Sequence, residues 1–386
     1  MIRFGADVLI AQNPDWKKQR IALVTNTAAT TNQYEPVSLA LLKAGFNLVK
    51  LFSPEHGFNA KGADGVKMQD GVDQATQLPV ISLYGDHFSP TKTDLQDVDR
   101  IMFDIPDVGV RFYTYLWTLT YVLQASANYN KPLIILDRPN PISGNLERCE
   151  GPMLNEQYCS SFIGRWNIPL RHSCSLAELA LFFNTTKNIN ADLTVIQCEN
   201  WDRNKFQPEW GMDFLPTSPA IRNINAAMLY PGLGLLEATN ISEGRGTSMP
   251  FEIAASPWMN DLDFLAEEKP DGVSLESIRL KPNEGKYASQ DCLGVQFTLK
   301  EYDHFKSVYH GLLLIKLIKD HYPAYFKWST YPTNVNPEGT GHLDKLLGLP
   351  QSEAFFELPL AKFKATMIKA CDATEWPGLI KPYLLY

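Results

Sequence analysis

Through its first third the chain alternates short apolar runs with longer stretches of helical spacing. Arg20–Asn26 reads as a short buried strand, Pro36–Ala44 has helical spacing, and Asn47–Phe52 is a strand again. Leu78–Tyr84, Arg100–Ile105 and Pro132–Asp137 are further apolar, β-branched runs, with helical patterns such as Leu116–Ala127 between them. Runs that are apolar at consecutive positions belong to strands covered on both faces. Strands separated by helices make βαβ units and a mostly parallel sheet. The expected fold is α/β, a Rossmann-like, doubly wound sheet with its crevice beyond the carboxyl ends of the strands.

Farther along, Ser175–Asn184 reads as a helix with Ser175 as N-cap and Glu178 at the capping-box position. Asp192–Cys198 is another strand. From about residue 211 the pattern changes to a Gly- and Pro-punctuated stretch through Pro257. Strands follow near Val295–Leu299, then an amphipathic helix over Tyr302–Tyr322, then short helices and Pro-bounded loops in Gly341–Tyr386. The expected organisation is an N-terminal domain over 1–210 and a smaller α+β domain over 211–386 that closes the active cleft.

Composition narrows the field. A length of 386 residues suits two domains, and 45 % hydrophobic with 20 % charged residues is an ordinary globular balance. A net charge of −8 argues against nucleic acid and against anionic membrane surfaces as partners. The six cysteines form no CxxC pair, so they read as free buried thiols and not as a zinc or redox motif. No run reaches the roughly 18–20 apolar residues of a membrane span. No basic segment followed by an apolar core heads the chain. As it stands it reads as cytoplasmic, or as periplasmic or exported where a leader has been removed. The oligomeric state is not legible.

The chemistry gathers at the expected strand ends. Asn47–Phe52 runs into Ser53-Pro-Glu-His-Gly57, which presents Glu55 beside His56 on a stiffened turn. Glu55 against an apolar wall would have a raised pKa and could donate a proton; the bland alternative is a helix cap or a partner for Arg. Arg100–Ile105 carries Asp104 and leads to Asp107, Arg111 and Tyr113. These could grip hydroxyls or a substrate carboxylate, or Asp107 and Arg111 could pair internally. Pro132–Leu136 runs into Asp137 and Asn140, the latter a rigid polar contact or an Asx turn. Arg171 and His172 precede the Ser175 helix. Glu237, Asn240, Glu243 and Arg245 lie on a Gly-rich nonperiodic loop, from which Glu237, Glu243 and Arg245 could face Glu55 from the second domain, or Glu243 and Arg245 could pair with each other.

Other chemistries lack their signatures. Gly232-Leu-Gly234 has no third glycine and follows no first strand, so no dinucleotide is expected despite the fold. There is no P-loop, no GxSxG elbow and no HExxH. His56, His87 and His172 with neighbouring Asp residues form no helical His pair, and neither metal nor cofactor is expected.

Taken together, Ser53-Pro-Glu-His-Gly57, Asp104–Tyr115, Asp137-Arg-Pro-Asn-Pro141, Ile168–Ala180 and Glu237–Thr247 resemble one bacterial family, the NamZ-type exo-β-N-acetylmuramidases of glycoside hydrolase family 171. The likeness spans nearly the whole chain, which departs from the family pattern by small changes at loop or packing positions, Pro106, Ser173, Ala177 and Ala238. It implies removal of terminal N-acetylmuramic acid from the non-reducing end of peptidoglycan fragments, with a disaccharide or muropeptide as partner. Glycoside cleavage needs a proton donor and usually a second carboxylate. On this reading Glu55 is the acid/base assisted by His56, and Glu237, Glu243 or Asp104 is its partner, unless the acetamido group is the nucleophile. Asp107, Arg111, Tyr113, Asp137, Asn140, Arg171, His172, Asn240 and Arg245 are candidate binding residues, with Arg111, Arg171 or Arg245 facing the lactyl carboxylate. The rival readings are a noncatalytic binder of muropeptides or sugars and a metal-dependent hydrolase such as a deacetylase.

Overall fold

The computed structural model describes residues 1–386. In chain order its strands are β1 (Ile21–Thr25), β2 (Leu48–Ser53), β3 (Gly71–Val72), β4 (Pro79–Ser82), β5 (Arg100–Asp104), β6 (Leu133–Leu136), β7 (Glu150–Met153), β8 (Pro169–Arg171), β9 (Leu193–Ile196), β10 (Ile253–Ser256), β11 (Val273–Leu280) and β12 (Cys292–Leu299). The helices are α1 (Gly5–Gln12), α2 (Val37–Lys43), α3 (Tyr115–Asn128), α4 (Glu156–Cys159), α5 (Leu176–Thr186), α6 (Ile224–Leu233), α7 (Ser307–His321), α8 (His342–Leu347), α9 (Leu360–Ala370) and α10 (Trp376–Ile380).

The central sheet has the order β3-β4-β2-β1-β5-β6-β9 and is parallel except for β3. Successive residues of one strand enter separate cores. Ala22 and Val24 of β1 join one buried cluster with α3 and α5, while Ile21 and Leu23 join another with α1 and α2. That division makes the sheet doubly wound, as the continuous apolar runs predict. At Ser175 the capping box is closed from both sides: Glu178 N donates to Ser175 Oγ, and Ser175 N donates to Glu178 Oε2.

The second unit is built on an antiparallel sheet, β10-β12-β11, with α6 and α7. These helices cross at Gly232 and Gly311, where a Cβ on Gly232 would lie 2.1 Å from Ser307 O, so only glycine permits the approach. The helix expected over Tyr302–Tyr322 begins at Ser307. The hairpin β7–β8 and the alternating strand β11 went unread in the sequence.

The chain then returns to the first unit. Trp376 Nε1 donates to His172 O at 2.9 Å, and Tyr386 Oη donates to Asp137 Oδ2 at 2.8 Å. Both units share one continuous core running from β1 to Ile380. No helix is long and apolar enough to cross a membrane.

Candidate active site

The chain leaves β2 through Pro54 into two consecutive residues of positive φ, His56 at +66° and Gly57 at +71°. A histidine in the left-handed region is unfavourable and is held here by its own loop. Gly62 N donates to His56 O, and His56 Nδ1 lies 2.9 Å from Gly62 O. A carbonyl only accepts, so Nδ1 carries the proton. The turn aims Glu55 at the amino end of α3, where Thr114 Oγ1 donates to Glu55 Oε2 at 2.6 Å and Gly65 N donates to Oε1 at 2.9 Å. Glu55 is only 4 % exposed. Burial and the nearby Asp64 raise its pKa above the ordinary glutamate value, against the opposing pull of His56, Thr114 and Gly65.

Asp64 sits on the same loop with its side chain 32 % exposed. Its carboxylate, that of Glu55 and a His56 ring nitrogen all lie within 4.8 Å of one another. Tyr331 Oη, from the second unit, donates to Asp64 Oδ2 at 2.6 Å, and Arg245 Nη2 stands 3.5 Å from it. Burial pushes the Asp64 carboxyl up. Arg245, His56 and the Tyr331 hydroxyl together outweigh that, so it lies below its ordinary value. Two adjacent carboxyls are thus driven apart, one toward the acid and one toward the carboxylate.

Arg245 is the hub of the far wall. It pairs with Glu237 at 2.7 Å, Glu243 at 3.2 Å and Asp64 at 3.5 Å, and lies over the Phe251 ring. Burial opposes ionisation of Glu243, but Lys286 and Arg245 hold its carboxyl down at about 2. His342 Nε2 lies 3.4 Å from Glu237, and its ring stacks on Tyr331. The near wall is pinned by Tyr113 and Tyr115, whose hydroxyls donate to Thr217 Oγ1 and Thr217 O. Between these walls is a cleft of about 320 Å³ lined by Glu55, His56, Asp64, Tyr113, Arg222, Arg245 and Tyr331 among others. That volume is in the range of a small-molecule site.

The family models for the exo-β-N-acetylmuramidase NamZ match residues 21–225 with the N-terminal domain and 228–386 with the C-terminal domain. The chain belongs to the NamZ family. It is 38 % identical, over 90 % of its own length and 82 % of the relative's, to the peptidoglycan β-N-acetylmuramidase NamZ of Bacillus subtilis strain 168. Two crystal structures of DUF1343 family proteins from Bacteroides fragilis NCTC 9343 also match. One has a TM-score of 0.87 at 28 % identity and the other 0.74 at 27 %, each covering 100 % of this chain and 99 % of the solved one.

Within this NamZ-family cleft the structure gathers Glu55, His56, Tyr113 and Arg245. Glu237 and Glu243 stand behind Arg245, neutralising it, and do not line the cleft. The other expected site residues lie elsewhere, each for a physical reason. Asp104 is fully buried against Arg138. Arg111 is fully buried and donates to Pro152 O, Ile168 O and Leu346 O, a strut between the units; burial lowers its pKa to about 9. Arg171 is likewise buried, donating to Ile142 O and facing Glu150 at 3.8 Å. Neither guanidinium can reach a substrate. Asn140 Oδ1 accepts from Ile142 N, the Asx turn of the bland reading. Asp137 accepts from Ala177 N and Tyr386 Oη. Asn240 binds the backbone of Tyr325 and Lys327. His172 is fully buried, 3.6 Å from Asp107, which accepts from Gly109 N and lines a smaller crevice beside Arg138. The site residues that sequence reading missed are Asp64, Tyr331, His342 and Arg222.

Glu55, His56 and Asp64 are also the one set of acidic, His or Cys side chains close enough together to hold a cation. With Nδ1 engaged by Gly62, His56 would offer Nε2 to such an ion.

Proposed function

We propose that this chain is an exo-acting glycoside hydrolase that removes N-acetylmuramic acid from the non-reducing end of peptidoglycan fragments, with Glu55 as general acid/base and Asp64 as its partner carboxylate. The observation that carries this reading is the pair itself: two carboxylates within 4.8 Å in one cleft, shifted in opposite directions. Cleavage requires a protonated acid at the glycosidic oxygen and negative charge near the developing oxocarbenium centre. Protonated Glu55 supplies the first, and ionised Asp64 the second.

The spacing also bears on the stereochemistry. Inverting enzymes keep their carboxyls roughly 6.5–9.5 Å apart to admit a water, whereas retaining ones hold them at about 5–5.5 Å. The Glu55–Asp64 pair is closer than the inverting range, which favours retention. Asp64 then acts either as the nucleophile or as the group that orients the substrate's acetamido oxygen.

Release of nitrophenol from para-nitrophenyl N-acetyl-β-muraminide, with the glucosaminide as control and a chelator in parallel, tests the reading. Release from the muraminide alone, unaffected by chelator, is the expected result. The Glu55–His56–Asp64 triangle favours one second reading, a metal-dependent hydrolase. Loss of activity on chelation, restored by a divalent ion, would establish that reading in place of the two-carboxylate scheme.

A further inference from the structure

An enzyme that distinguishes N-acetylmuramic acid from N-acetylglucosamine must recognise a lactyl carboxylate. The partner for a carboxylate in a cleft is an uncompensated cation, best a guanidinium with two free donors. The cleft lining holds two arginines. Arg245 is committed: three carboxylates surround it, and Lys286 relieves only Glu243. A substrate anion there would meet Asp64 and Glu237 at close range and be repelled.

Arg222 is different in every respect. It lines the same cleft and is solvent-exposed, and no carboxylate pairs with it. Its Nε donates to Pro219 O at 2.7 Å, which fixes the side chain against its own loop and leaves both terminal nitrogens free. The loop is itself fixed. Tyr113 and Tyr115 hold Thr217, Ser218 Oγ accepts from Ile221 N, and Asn223 Oδ1 accepts from Ala226 N at the start of α6. Tyr113, itself part of the cleft lining, and Tyr115 thus also hold the segment that displays Arg222.

We infer that Arg222 binds the lactyl carboxylate and sets the preference for N-acetylmuramic acid. The inference rests on the glycosidase reading above. It assigns sugar cleavage to Glu55 and Asp64 and carboxylate recognition to Arg222 in the lining of the same cleft.

The test compares three para-nitrophenyl glycosides: the muraminide, its lactyl methyl ester, and the glucosaminide. Each is assayed with the unaltered enzyme and with Arg222→Gln and Arg222→Lys. A charge-assisted pair of this kind is worth roughly 10- to 100-fold in kcat/KM. The unaltered enzyme is expected to favour the free acid over the ester by about that factor. Arg222→Gln is expected to bring the acid-to-ester ratio close to one, chiefly through KM, with Arg222→Lys between. The ratio is insensitive to a general loss of folding or activity. Retention of the full ratio in Arg222→Gln would overturn the inference, as would an equal fall on acid and ester. Absence of muraminide release by the unaltered enzyme would instead overturn the glycosidase reading beneath it.

Discussion

The Tyr331 hydroxyl donates to Asp64 Oδ2 at 2.6 Å across the mouth of the cleft, joining the loop after β2 to the second unit. The bond favours the ionised form of Asp64, as do Arg245 and His56. Tyr331→Phe removes one of these supports, so the Asp64 pKa should rise. Activity needs ionised Asp64, so the acid limb of the pH–rate profile is expected to move to higher pH while the alkaline limb stays in place. A profile of kcat/KM measured for both proteins checks this; an unmoved acid limb would separate Asp64 from the reaction.

Glu55 carries the opposite expectation. Its raised pKa keeps the proton to higher pH than an ordinary glutamate, and activity should decline above it. Glu55→Gln cannot donate to the leaving oxygen. On a disaccharide, whose leaving group needs protonation, turnover is expected to fall about 10²–10⁴-fold. On the nitrophenyl glycoside, whose leaving group departs unaided, the fall in kcat/KM should be far smaller. Equal losses on both substrates would deny Glu55 the role of acid.

Arg111 is expected to matter for folding and not for binding. Its guanidinium is fully buried and satisfies the carbonyls of Pro152, Ile168 and Leu346. Arg111→Met leaves all three without that donor at the junction of the units. Each buried carbonyl left without a donor costs about 1–3 kcal/mol. Thermal unfolding should show a drop of roughly 3–7 °C, against almost none for Glu55→Gln. A variant with unchanged Tm and a raised KM would restore Arg111 to the substrate.

Asp137 makes stability depend on pH. Burial, with Glu178 nearby, lifts its pKa from 3.8 to about 7 despite help from Ser175, Tyr386 and Ala177. Between those values the folded state holds a proton that the unfolded chain has lost. This contribution is therefore fully present below the unfolded pKa and is lost as pH rises through the folded one. Asp137→Asn mimics the protonated carboxyl, so its Tm is expected to fall less between pH 5 and 7.5 than that of the unaltered protein. Parallel Tm–pH curves would contradict this assignment.

The first unit was legible because both faces of its sheet are covered. Ile21–Val24 and Leu133–Leu136 are apolar at every position, a pattern few other elements share. Ser175 and Glu178 gave the start of α5 because a capping box is a local chemistry. Glu55 and His56 were legible for the same reason, lying directly after a recognisable strand. Asp64 and Tyr331 were not: both sit in polar, nonperiodic loops, 267 positions apart, and only the packing of the two units joins them. Arg111 and Arg171 misled in the opposite sense. An arginine among aromatic and acidic neighbours reads as a binding group, and only burial reveals that its partners are backbone carbonyls. Arg222 stands in no conspicuous motif; its importance comes from the carboxylates that surround Arg245 and are missing around it.

The most direct test of the Glu55–Asp64 scheme is a proton NMR time course on a disaccharide with N-acetylmuramic acid at its non-reducing end. One observation reads both bond cleavage and stereochemistry. Carboxylates within 4.8 Å call for retention, so the β-anomer of free N-acetylmuramic acid should appear first and mutarotate afterward. Initial appearance of the α-anomer would require a water between acid and base, and the pair as placed here could not be the catalytic one.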